Sequence, residues 1–154
     1  FTALNAAKVR YLVVGGVAMV LHGAVRMTAD LDLAISLDDG NVRRFLGLMK
    51  EKGYCPKIPV SPDDFADPKH RRKWKEEKNM TVFSWHHPQR PEELLDVFIE
   101  EPLDFVAAYG RKKDIPLGAT NIPVVSIADL ISMKEKIGRP QDLADVAALQ
   151  DMMR

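Results

Sequence analysis

Asp30 and Asp32 stand one residue apart at the head of the apolar segment ADLDLAI, and Asp96 interrupts a second such run, LLDVFI. An unpaired carboxylate in such surroundings is costly, so these residues need partners. On a strand, residues two apart share a face. Asp30 and Asp32 therefore project together while Leu31 and Leu33 face the core. Neighbouring carboxylates raise each other's pKa. A divalent cation removes that penalty, and hard oxygen donors suit Mg²⁺ or Mn²⁺. Asp96 supplies a third donor. In the competing arrangement Asp30 caps the strand, Asp32 pairs with Arg26 and Asp96 lies on a solvated face. The glycine pair upstream and the isolated aspartate downstream favour the cation.

That glycine pair, Gly15-Gly16, falls between a strand-like YLVV and a helical VAMVLH. Without side chains, backbone can approach a phosphate closely, and a helix N-terminus offers free N–H groups and a positive dipole end. A tight turn with positive φ selects the same residues, and the glycines alone do not decide between the two. The phosphate signatures G-x-x-x-x-G-K-[ST] and G-x-G-x-x-G are both missing, which excludes a P-loop protein and a Rossmann dehydrogenase.

The elements that must position these groups follow from periodicity. Residues 2–9 read as a short helix, 11–14 as a buried strand, 17–22 as a helix ended by Gly23, and 31–35 as a strand. Residues 39–52 carry Val42, Phe45, Leu46 and Met49 at amphipathic helical spacing, closed by Gly53. Residues 56–79 read as a loop with one exposed helix. Strands are expected at 80–85 and 94–100, joined by the turn HHPQRPEE, then a helix at 103–109 and short strands near Ile115 and Ile122–Val125. Helices at 127–137 and 141–152, broken at Gly138–Pro140, complete the chain. One α/β domain over residues 1–154 is expected, with a mixed sheet flanked by helices and a C-terminal helical pair.

Bulk properties exclude several classes. Lys+Arg and Asp+Glu are both 22, so no overall field would hold nucleic acid or an anionic membrane. The single cysteine, Cys55, allows no intramolecular disulfide and suits a reducing compartment. No apolar run approaches the roughly 20 residues of a membrane span. The chain begins at Phe1 and shows no signal-peptide pattern, so a few leading residues are expected before it, and the cytoplasm is the expected compartment.

Together, Gly15-Gly16, Arg26-x-Thr28-x-Asp30-x-Asp32 and the strand-borne Asp96 resemble the nucleotidyltransferase superfamily of the DNA polymerase β type. GGVAMVLHGAVRMTADLDL is similar to the small bacterial branch that includes abortive-infection nucleotidyltransferase toxins. DLISMKEKIGRPQDLADVAAL resembles that branch's helical motif, here Lys134, Arg139, Asp142 and Asp145. The resemblance implies transfer of a nucleoside monophosphate from a nucleoside triphosphate to an acceptor hydroxyl, with release of pyrophosphate. It implies two ions, Mg²⁺ or Mn²⁺. Asp30 and Asp32 would hold the one bridging the triphosphate, and all three aspartates the one activating the acceptor. Gly15, Gly16, Arg26, Thr28 and Lys134 would bind the nucleotide. Many members carry Gly-Ser where this chain has Gly15-Gly16, so a serine contact to phosphate is absent. The acceptor could be tRNA, another protein or a small molecule, and an antitoxin partner is implied by the toxin branch. The alternative is a module that keeps the pocket and binds nucleotide or RNA without turnover.

Other residues are weighed against plainer roles. His22 is expected to cap its helix, with a place near the pocket as the rival. Arg26 either orients Asp32 or touches substrate. Asp142 and Asp145 share a helix face and should pair with Lys134 or Arg139. Cys55 with His86 and His87 lacks a zinc spacing. The run Lys69–Lys75, with Trp74, could grip RNA and stack a base, but a solvated helix face is the expected reading.

Overall fold

The computed structural model describes residues 1–154. Its most deeply buried strand is β1 (Tyr11–Val14), whose four side chains are wholly buried. Its aromatic and β-branched residues suit a strand covered on both faces. β1 runs antiparallel to β2 (Leu31–Ile35), with Val14 opposite Asp32. On the far side of β2, β5 (Arg90–Phe98) runs parallel, followed outward by β4 (Val82–His87) and the short β3 (Cys55–Pro56). The hairpin of β6 (Lys113–Leu117) and β7 (Thr120–Val124) completes a seven-stranded mixed sheet in the order β3-β4-β5-β2-β1-β7-β6.

The faces of the sheet differ because β4 and β5 alternate. Phe83, Trp85, Leu95 and Val97 are buried on one side. There they meet α3 (Asp39–Lys52), the 3-10 turn Pro62–Ala66 and α4 (Pro68–Lys78). Phe45, Phe65, Trp74, Phe83 and Trp85 form a continuous aromatic cluster with ring centroids 5.0–6.2 Å apart. The other side carries Asp32, Ser84, Asp96 and Phe98. It faces α6 (Ile127–Ile137), which is paired with α7 (Pro140–Met152). Pro140 opens α7, where its missing N–H costs nothing. The remaining helices are α1 (Thr2–Ala6), α2 (Gly15–Leu21) and α5 (Phe105–Gly110). No helix is long and apolar enough to cross a membrane.

The mixed sheet, flanking helices and C-terminal pair agree with expectation; several boundaries do not. α1 stops at Ala6 because Lys8 takes a left-handed φ of 59°. The helix read as beginning at Val17 begins at Gly15. β5 starts at Arg90, not Leu94, so the turn between β4 and β5 shrinks to Pro88-Gln89. Pro91 is accommodated because pairing slips there: His86 faces Leu94 while His87 faces Arg90. The stretch 56–79 is more ordered than a loop with one exposed helix. Asp67 caps α4 through the Lys69 amide at 2.9 Å and Pro68 opens it. Two of its residues point inward: Trp74, 4% exposed, packs on Phe83, and the buried Arg71 donates to the Phe65 carbonyl.

Candidate active site

The cleft between the sheet and α6 is built by register. Asp32 and Asp96 are direct neighbours across the parallel β2–β5 pair, so their side chains leave the same face at adjacent positions. Opposite Asp96 on β4 stands Ser84, whose Oγ donates to Asp96 Oδ1 at 2.6 Å. Asp30, just before β2, lines the same cleft of about 410 Å³. Leu130, Met133 and Ile137 of α6 supply an apolar wall opposite the carboxylates. A larger cleft of about 930 Å³ lies on the other side, between α3 and the 3-10 turn, and contains none of the residues singled out for nucleotide chemistry.

The glycine pair closes the floor. Gly15 has φ +68°, and a Cβ there would lie 2.2 Å from Asp32 Oδ2. At Gly16 a Cβ would lie 2.7 Å from Thr28 Oγ1 and 3.2 Å from Arg26 Nε. Positive φ and close approach both operate, the first at Gly15 only. α2 is only seven residues long, so its dipole is a minor contributor.

Burial, with the Asp96 and Asp30 carboxylates beside it, pushes the Asp32 carboxyl up to about 6. Lys134 and Arg139 oppose that rise without cancelling it. Arg26 is not the partner of Asp32: its Nη1 donates to Asp145 Oδ1 at 2.8 Å. Asp145 Oδ2 accepts from the buried Lys134 Nζ, also at 2.8 Å, and Asp142 accepts from Arg139 Nε at 2.7 Å. The expected pairing of Asp142 and Asp145 with these cations is therefore present. The hydrogen bond from Arg139 holds the Asp142 carboxyl below its ordinary range.

No three His, Cys, Asp or Glu side chains are arranged to hold a metal ion by themselves. The donor set nevertheless fits a hard divalent cation: Asp32 and Asp96 offer adjacent carboxylates, and Mg²⁺ is commonly held by one or two carboxylates plus substrate phosphate and water. Cys55 Sγ lies 3.7 Å from His86 Nε2 and the pair completes no metal site.

The remaining candidates fall outside the cleft. His22 caps α2, with Nε2 at 2.7 Å from the Val125 carbonyl oxygen. Trp74 is turned into the core, so it cannot stack a base, and Arg71 is likewise occupied. Ser84 was not singled out by sequence, although the alternation of VFSWHH puts it opposite Phe83 and Trp85. The α6 wall was hidden among ordinary amphipathic positions.

The fold is that of the nucleotidyltransferases. Residues 3–150 match the family described as "Nucleotidyltransferase of unknown function (DUF6036)", and the chain belongs to it. Solved structures share the fold at low identity. The lincosamide antibiotic adenylyltransferase LnuA, with lincomycin bound, has a TM-score of 0.61 at 15% identity, over 98% of this chain and 92% of that one. A putative nucleotidyltransferase from Thermotoga maritima has 0.58 at 16%, over 97% and 87%. The antibiotic-resistance factor ANT(2'')-Ia has 0.59 at 13%, over 99% and 80%. No curated protein matches the chain in sequence.

Proposed function

We propose that the protein, as one domain over residues 1–154, transfers a nucleoside monophosphate from a nucleoside triphosphate to an acceptor hydroxyl. The observation that carries this reading is the in-register Asp32–Asp96 pair beside a glycine floor that side chains would fill. The acceptor oxygen forms a bond to the α-phosphorus as the bond to the β-phosphate oxygen breaks, and pyrophosphate leaves. Asp32 and Asp96 would hold Mg²⁺ or Mn²⁺, with Asp30 lining the same cleft but completing no three-carboxylate set, and the ion when bound would neutralise phosphate charge and acidify the acceptor hydroxyl. Gly15 and Gly16 let the polyphosphate lie against backbone, with Thr28 and Arg26 beside it. Lys134 is a further phosphate contact, from within its pair with Asp145. Asp96, whose Oδ1 accepts from Ser84 Oγ, would take the acceptor proton.

A toxin role with an antitoxin partner is carried by the sequence resemblance alone. The antibiotic-modifying fold neighbours make a small-molecule hydroxyl one acceptor class to test beside tRNA and protein. Incubation with each nucleoside triphosphate labelled at the α- or the γ-phosphate, Mg²⁺ and a cell extract tests the reading. The α-label should move to an acceptor and the γ-label should appear in pyrophosphate. Transfer of the γ-label to the acceptor, or of neither label, would contradict it.

A further inference from the structure

Asp145 on α7 divides its carboxylate between two cations from distant parts of the chain. Oδ1 accepts from Arg26 Nη1 at 2.8 Å and from Gln141 Nε2 at 3.1 Å; Oδ2 accepts from Lys134 Nζ at 2.8 Å. The residue is 4% exposed. A single buried anion thus restrains two cations that line the cleft.

The grip on Arg26 is one-sided. Carboxylates commonly take a guanidinium through two parallel N–H bonds, but here only Nη1 is engaged. Nε is buried and has no partner. That donor lies 3.2 Å from where a Gly16 Cβ would be, beside Thr28 Oγ1. A buried N–H without an acceptor is costly, and a Cβ at Gly16 would crowd the approach of an acceptor to it. An anionic oxygen suits the charge and planarity of the group.

We propose that Asp145 is a positioning residue: it fixes the Arg26 guanidinium so that Nε–H is presented to a polyphosphate lying against Gly15-Gly16. The inference rests on the nucleotidyl-transfer reading of the cleft and adds a residue that would not itself touch substrate. It also ties the segment before β2 to the C-terminal helical pair, so α7 contributes to binding without lining the glycine floor.

Calorimetric titration of inorganic tripolyphosphate into the full chain tests this without turnover. Wild type should bind. Asp145→Asn and Arg26→Lys should each weaken binding about tenfold, and the double variant should bind no more weakly than Asp145→Asn alone, because both changes remove one function. Asp151→Asn, at an exposed pair with Arg154, should bind as wild type. A folded Asp145→Asn that binds like wild type but melts lower would show a merely structural role and overturn the proposal, as would losses that multiply in the double variant. If Asp145→Asn does not fold, Asp145→Glu, which keeps the charge but displaces it, should bind several-fold more weakly; unchanged affinity there overturns the proposal equally. Failure of wild type to bind tripolyphosphate would reject the nucleotide reading of the cleft itself.

Discussion

Asp32 and Asp96 stand side by side on parallel neighbouring strands, and neither is paired with a basic side chain. Arg26, which would neutralise Asp32 in the competing arrangement, is bound to Asp145 instead. Asp96 takes a hydroxyl, from Ser84. Two adjacent carboxylates whose repulsion and burial the more distant Lys134 and Arg139 do not cancel weaken the fold unless something else is bound there, and this strain gives the site a signature measurable without substrate.

The first expectation concerns pH. The Asp32 carboxyl sits at about 6 in the folded protein against an ordinary 3.8. Its folded value is raised, so the group leaves stability untouched below pH 3.8 and lowers it as pH climbs through 6. The difference corresponds to about 3 kcal/mol. Asp32→Asn should therefore raise the melting temperature of the metal-free protein above pH 6 and leave it unchanged below pH 3.8. Loss of stability at the higher pH would mean that Asp32 is part of a buried ion pair.

Gly15→Ala combines a left-handed backbone with a Cβ 2.2 Å from Asp32 Oδ2. It should destabilise the fold by about 1–3 kcal/mol and abolish transfer. Gly16→Ala meets only the Thr28 and Arg26 side chains, so its melt should change less while activity still falls. Denaturant melts beside activity assays check the order. Equal stability losses would show that backbone φ does not govern Gly15.

How much of this was legible in the sequence differs by region. The Asp32–Asp96 strands announced themselves, because a lone carboxylate in an apolar run is conspicuous whatever the topology. Their adjacency did not, since strand order depends on contacts remote in sequence. The helix α4 was expected but its inward stripe was not, because its sequence, PKHRRKWKEEK, is dominated by charge. The inward stripe rests on Arg71 and Trp74, and a buried arginine satisfied by the Phe65 carbonyl leaves no hydropathy signal. Pro91 suggested a turn, yet the bulge between β4 and β5 lets a proline lie within a strand.

The packing of Trp74 yields its own test. Trp74→Ala should destabilise the protein by about 3–5 kcal/mol, whereas replacing the exposed Arg72 and Lys73 should stay within about 0.5 kcal/mol of wild type each. Urea melts measure both. A neutral Trp74→Ala that instead weakened RNA binding would restore the stacking role that the buried ring rules out.

Ser84 has a predicted effect that separates orientation from folding. Ser84→Ala leaves Asp96 on its strand but removes the 2.6 Å hydrogen bond that fixes one oxygen. Transfer should fall about tenfold, with a stability change of about 1 kcal/mol, and Ser84→Thr should recover most of the activity. Steady-state kinetics of the two variants provide the comparison; full activity in Ser84→Ala would remove the hydroxyl from the account.

The cation is tested most directly by thermal melts of wild type, Asp32→Asn and Asp96→Asn, each with and without Mn²⁺ or Mg²⁺. Binding to the folded state alone should stabilise wild type by about 2.7 kcal/mol at a hundredfold excess over the dissociation constant. Both variants should be at least as stable as wild type without metal, having lost the carboxylate repulsion, and should gain almost nothing when metal is added. Stabilisation of either variant to the wild-type extent, or none in wild type, would contradict a cation site at Asp32 and Asp96.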